Sequence, residues 1–257
     1  MKMSSSCIWC GSQSFSKSIE HVLPDALGCP PSFVLTDCVC RPCNNGLAGI
    51  DQALLKQFEI MTFVKGVRRK KGRPPSVEAW PSLRGRSTSG GPELFVNAGR
   101  GEMDAWGKTL RPSRASNGIT ETAFERNGEH ATIKFTQTFG NDPKFVRALY
   151  KVAISSLAFH SGSELVCNPL FDAARQFVLN GSGRFEVLMF TRGEPTVHEF
   201  PPPRSYGDGA CWLVSFKIFG IEFVADLDER QQALGKLTSA LVMQANRGWT
   251  KLPLRNG

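Results

Sequence analysis

Cys7-Ile8-Trp9-Cys10, Ser18-Ile19-Glu20-His21-Val22-Leu23-Pro24 and Cys40-Arg41-Pro42-Cys43-Asn44-Asn45-Gly46 decide how this chain of 257 residues is read. Two Cys-x-x-Cys pairs bracket a Glu-His, and an Asn directly follows the last cysteine. A two-residue gap lets both sulfurs of a pair reach one ion, and four thiolates suit tetrahedral Zn2+. Structural zinc is therefore expected on Cys7, Cys10, Cys40 and Cys43. The 29 residues between the pairs exceed the usual ribbon spacing, so that stretch is expected to carry structure of its own. Cys29 and Cys38 lie nearby and offer ligands in a different register. Disulfides are the competing reading. Nothing in the first residues has the form of a secretory apolar region, and the chain reads as cytoplasmic, of prokaryotic or phage origin. Cys167 and Cys211 sit among apolar residues and are expected in the core. A short N-terminal module has too little core to fold alone, so metal binding would contribute folding free energy.

After the second pair, Asn44 begins an apolar periodic run through Leu47, Ile50, Leu54, Leu55 and Phe58. Spacings of three and four predict a helix. Asn44 then sits near the helix N-terminus, close to the zinc and facing the strand that carries His21.

This arrangement resembles the HNH endonucleases, whose fold is the ββα-metal finger. It is closest to the branch with two Cys-x-x-Cys pairs, a Glu-His-x-x-Pro segment and a Cys-x-x-Cys-Asn helix start. The matching residues are Cys7, Cys10, Glu20, His21, Pro24, Leu27, Gly28, Cys40, Cys43, Asn44, Asn45 and Asp51. They span about a fifth of the chain. The resemblance implies that His21 is the general base, and that Glu20 and Asn44 hold a catalytic Mg2+ or Mn2+. Asn45 or Asp51 is the fallback ligand, and Asp51 also reads as a brace on the same helix face or as a solvated helix residue. Many relatives carry an Asn in the loop before the helix that orients the base. None lies between Cys10 and Asn44 here, which leaves Thr36, Asp37 or a backbone carbonyl for that task.

The chemistry accounts for the residue types. Phosphodiester hydrolysis needs an activated water, neutralised charge at phosphorus and a stabilised leaving oxygen. A neutral imidazole takes a proton near pH 7. Oxygen donors suit a hard divalent cation, which grips phosphate. The resemblance implies 5′-phosphate and 3′-hydroxyl products on DNA, with RNA left open as a substrate. The rival reading is a zinc-finger DNA-binding protein without catalysis. His130, His160 and His198 lack any comparable context.

The formal net charge of +8 is concentrated after the finger. Lys65, Arg68, Arg69, Lys70, Lys71, Arg73, Arg84 and Arg86 face only Glu78 among the acids of that stretch. Such a segment neutralises phosphates and releases counterions, so Lys65, Arg68, Arg69, Lys70, Lys71 and Arg73 are the candidate DNA contacts. Its plain alternative is a solvated linker.

The expected organisation is a nuclease finger over 1–62, a basic Pro/Gly/Ser-rich linker over 63–92, and an α+β domain over 93–257 for substrate selection, partner binding or dimerisation. Strands are predicted at 93–97 and 130–138. A helix is predicted from Pro143, capped by Asp142, with Val146, Leu149, Val152, Ala153 and Leu157 inward. Another follows the cap Asn168 and stops at Gly181. Phe185, Val187 and Met189 alternate as a strand, Leu213–Leu227 reads as a hairpin turning near Gly220, and a helix follows over 228–245. The fold class is α+β with a mostly antiparallel sheet behind the finger. No apolar run reaches the length of a membrane span, so no membrane partner is expected. One finger nicks one strand, so cutting both strands requires two fingers or two visits, a symmetric dimer being the common solution; the C-terminal domain is the candidate surface for a homodimer or a protein partner.

Overall fold

Glu20–His21 (β1) pairs antiparallel with Val34–Leu35 (β2), in the register Glu20↔Leu35 and His21↔Val34. These strands belong to a computed structural model, which describes residues 6–65, 67, 83–88, 91–96, 119–127, 130–137, 139–140, 142–191, 198–207, 209 and 211–253. Helix α1 follows at Arg41–Gln57. Its first turn tolerates Pro42 because the missing N–H has no intrahelical partner there. Leu47, Ile50 and Leu54 are buried along one face, as their spacing predicts. A short helix α2 covers Glu59–Val64.

The described residues fall into two compact units. One gathers those of Pro24–Cys29 and Leu55–Asn141. It contains α2 and two antiparallel hairpins: Leu83–Thr88 (β3) with Gly91–Val96 (β4), and Ile119–Asn127 (β5) with His130–Gln137 (β6). Phe58 and Phe139 meet within it at 5.4 Å between ring centres.

The other unit gathers the described residues of Met1–Leu23, Pro30–Leu54 and Asp142–Gly257. The cysteine pairs, β1, β2 and most of α1 thus share one unit with the C-terminal helices and sheet. Helix α3 spans Pro143–Ser161, and Asp142 accepts a hydrogen bond from the Lys144 N–H at 2.8 Å. Helix α4 is Ser163–Val166. A 3₁₀ turn at Pro169–Phe171 is capped by Asn168 and leads into α5, Asp172–Asn180. Gly181 closes α5 at φ +83°, a left-handed conformation that glycine adopts without a Cβ clash. Arg147 of α3 donates to the Val178 and Leu179 carbonyls at the end of α5.

Five strands make the sheet of this unit: β7 (Val187–Phe190), β8 (Arg204–Tyr206), β9 (Cys211–Ile218), β10 (Ile221–Asp226) and β11 (Trp249–Leu252). Their order is β11-β7-β10-β9-β8, and every neighbouring pair is antiparallel. The fold is α+β. Phe219 and Gly220 both take positive φ between β9 and β10, the two-residue turn whose twist suits a hairpin. Side chains alternate across the sheet. Leu188 and Val224 face helix α6 (Gln232–Met243) through Leu234 and Leu241. On the opposite face Phe223 packs on Phe145 of α3 at 6.2 Å. Helix α3 is therefore covered nearly all round, with Phe145, Val146, Leu149, Tyr150, Val152, Ala153, Ile154 and Leu157 all buried. Among the described residues no helix is long and apolar enough to cross a membrane.

Candidate functional site

The four cysteines expected to bind metal converge. Cys7, Cys10, Cys40 and Cys43 place their sulfurs within 4.8 Å of one another. The Cys10 and Cys40 Sγ atoms are 3.8 Å apart. A tetrahedron with Zn–S bonds of about 2.3 Å needs sulfurs about 3.8 Å from each other, so the donor set fits zinc. None of the eight cysteines is joined in a disulfide.

Local structure explains the convergence. The chain turns tightly after Cys7, with the Gly11 N–H returning to the Cys7 carbonyl at 2.8 Å and Gly11 at φ +73°. Cys40 precedes α1 and Cys43 lies in its first turn; the helix dipole there favours anionic sulfur, but burial outweighs it and pushes both thiols up. The Cys40 N–H points at Cys7 Sγ and the Cys43 N–H at Cys40 Sγ, each at 3.4 Å. Burial pushes the Cys7 thiol up, but backbone N–H groups of Cys10, Cys40 and Trp9 outweigh it and hold the thiol below its usual value. Cys38 lies outside the quartet, and burial beside Cys7 and Cys167 pushes its thiol up to about 11.

Asn44 lies in the first turn of α1. Its side-chain amide donates to Ser18 Oγ at 2.7 Å and to the Ile19 carbonyl at 3.0 Å. It therefore ties the helix to the segment entering β1, two residues before His21. Asn45 follows on the helix and is exposed. His21 is half-buried, while Glu20 is 1% exposed. Consecutive strand residues point to opposite sides, so the register directs Glu20 and His21 away from each other.

Glu20 meets a partner that lies far away in sequence. Its carboxylate is ion-paired with Lys151 Nζ, from the middle of α3. The same ammonium donates to Asp51 Oδ1 at 2.8 Å and Oδ2 at 2.7 Å. Lys151 is almost wholly enclosed, and Asp51 retains 21% side-chain exposure. Burial pushes the Lys151 ammonium down, but the Asp51 and Glu20 carboxylates outweigh it and keep the proton on. Burial raises the Glu20 carboxyl and Asp51 raises it further, against the lowering pull of Lys151. The sequence singled out Glu20 and Asp51 but not Lys151.

A hard divalent cation on Glu20 and Asn44 does not fit this donor set. The Glu20 carboxylate is ion-paired through one oxygen with an ammonium in a dry interior, whereas Mg2+ keeps several waters. Among the described residues only the NH2 of the Asn44 side chain is engaged, donating to Ser18 and Ile19, so the misfit rests on Glu20.

Of the two residues considered for orienting His21, Asp37 pairs instead with Lys17 at 2.8 Å, and Thr36 donates to Asp37 at 3.5 Å. Lys65 is exposed. Arg68, Arg69, Lys70, Lys71 and Arg73 lie outside the described residues. No protein-family model, no curated protein and no solved structure matches this chain.

Proposed function

We propose that this chain is a zinc-stapled nuclease that hydrolyses phosphodiester bonds in DNA, with His21 taking the proton from the attacking water. The observation that carries this reading is local. A half-buried imidazole sits on a two-stranded ribbon whose backbone is tied to α1 by Asn44, beside a cysteine quartet with zinc dimensions. An imidazole held at a surface in this way is placed to act as a general base toward water. Water losing that proton attacks phosphorus, the P–O3′ bond breaks, and the departing 3′-oxygen takes up a proton, which gives the 5′-phosphate and 3′-hydroxyl ends that the resemblance to HNH enzymes implies. The cationic stretch from Lys65 to Arg73 supplies sequence-independent affinity for the backbone. No step is routed through a divalent cation on Glu20, because that carboxylate is committed to Lys151.

A second reading has its own support. Glu20 is ion-paired with Lys151 and the Asn44 NH2 is bonded to Ser18, as they would be in a zinc module that binds DNA without cutting it. Zinc-loaded protein incubated with supercoiled plasmid, with and without Mg2+ or Mn2+, separates the two. The nuclease reading expects relaxed circles from the parent and none from His21→Ala, with zinc content and circular dichroism unchanged in the variant. Nicking by His21→Ala at the parental rate would remove His21 from the reaction. A parent that retards plasmid in gels but never relaxes it is the binding module.

A further inference from the structure

Two carboxylates from separate elements, Glu20 of β1 and Asp51 of α1, close on a single Lys151 Nζ delivered by α3. The three side chains come from positions up to 131 residues apart, between Glu20 and Lys151. Lys151 and Glu20 are each 2% exposed at the side chain, so this is no rim contact. One ammonium faces two acids, and Glu20 Oε2 has no hydrogen-bond partner of its own. An arrangement of oxygen ligands around one positive centre is what a hard cation would require. Here the positive centre is covalently part of the chain.

We propose that Lys151 is the resident cation of the Glu20–Asp51 pair, occupying the position a divalent ion would take, so that Lys151 and a divalent metal are mutually exclusive there. The physical reasons are space and charge. The Nζ donates to both oxygens of Asp51 and contacts Glu20, leaving no gap of ionic size between the carboxylates. An added dication would meet a buried like charge and would have to shed its waters in a dry interior. Removing either carboxylate alone leaves the ammonium with the other, and removing the ammonium leaves a vacated anionic niche reached from the side where Asp51 is exposed. Helix α3 also gains a tie to the strand bearing His21, which links the zinc-stapled segment to the sheet of the same unit. The inference stands whether or not the chain cuts DNA.

Binding of Mn2+ to the zinc-loaded full chain, read from loss of the free-ion signal in electron paramagnetic resonance, tests it. The parent and Glu20→Gln should take up Mn2+ equally. Lys151→Met should bind one further Mn2+, with affinity about tenfold or more above the parent, and Lys151→Met/Glu20→Gln should lose that gain. Mn2+ uptake by the parent that disappears in Glu20→Gln would overturn the proposal. So would a Lys151→Met chain that keeps its zinc and circular dichroism yet gains no Mn2+. Should Lys151→Met fail to fold, the comparison of parent with Glu20→Gln decides the matter alone.

Discussion

Replacing Lys151 with Met is the most demanding perturbation of this fold, because it keeps an unbranched apolar stem, one atom shorter, and deletes the ammonium. The loss can be worked from the burial of the partners. Glu20 is 1% exposed and has nowhere to find water, so its carboxylate is left uncompensated. Breaking a buried ion pair from one side costs about 3–5 kcal/mol. Asp51, at 21% side-chain exposure, recovers part of its hydration and adds little to the loss. Lys151→Met/Glu20→Gln removes both buried charges and should regain about half of the loss or more, since similar-sized neutral groups replace buried pairs at small cost, on the order of 1–2 kcal/mol here. The acid dependence has a defined sign. The Glu20 carboxyl already lies above its ordinary 4.5 through burial, and the lowering pull of Lys151 disappears in the variant. A carboxyl raised on folding contributes most below its unfolded value and loses that contribution as pH rises through the folded one. The deficit of Lys151→Met against the parent should therefore shrink as pH falls toward that range. Urea unfolding followed by tryptophan fluorescence, at neutral and mildly acid pH, reads all three quantities. A Lys151→Met midpoint equivalent to less than about 1 kcal/mol of loss, or a double variant no more stable than the single one, would refute the reasoning.

Two further outcomes follow from the site. Cys40→Ser removes a sulfur that faces Cys10 and accepts from the Cys43 N–H, so zinc measured by elemental analysis should fall to well under one ion per chain and the segment through about residue 58 should lose protection from proteolysis. Unchanged zinc in that variant would reject the quartet. Asn44→Ala deletes one part-buried and one exposed hydrogen bond, at a cost of about 1 kcal/mol in urea unfolding, and a change below about 0.3 kcal/mol would show that Asn44 does not hold the ribbon to α1.

Much of this architecture is legible in the sequence because its signals are local. Cys-x-x-Cys spacing anticipates the quartet, and the run from Leu47 to Leu54 anticipates the buried face of α1. Asp142 and Asn168 cap where their neighbours Pro143 and Pro169 suggest, since cap, proline and first turn are contiguous. Asp226 behaves as a helix-start charge, accepting from the Leu234 N–H at the start of α6, and it does so from full burial at the end of β10. Strands β8 and β11 carry weaker patterns. Arg204–Tyr206 is exposed along its length, and Trp249–Leu252 is mostly half-buried, so neither shows the alternation by which a strand is recognised.

The partner of Glu20 is a different kind of miss. Asp51 and Lys151 are 100 positions apart, and no local pattern pairs them. The resemblance supplied a cation for Glu20 but took it from solution. A signal was nonetheless present in α3. Ala148-Leu149-Tyr150-Lys151-Val152-Ala153-Ile154 carries one charge within an otherwise apolar or aromatic run. A helix apolar on every side is enclosed, and a lysine in its middle cannot reach water by stretching its stem. Lysine is almost never fully buried without a partner, so such a residue demands carboxylates from elsewhere in the fold. The run thus points to an acidic partner for α3, while only the three-dimensional path of β1 and α1 says that there are two and which they are. Glu20 is a metal ligand only by the resemblance: a buried carboxylate requires a positive partner, and its own neighbourhood in the sequence does not reveal whether that charge is an ion or an ammonium.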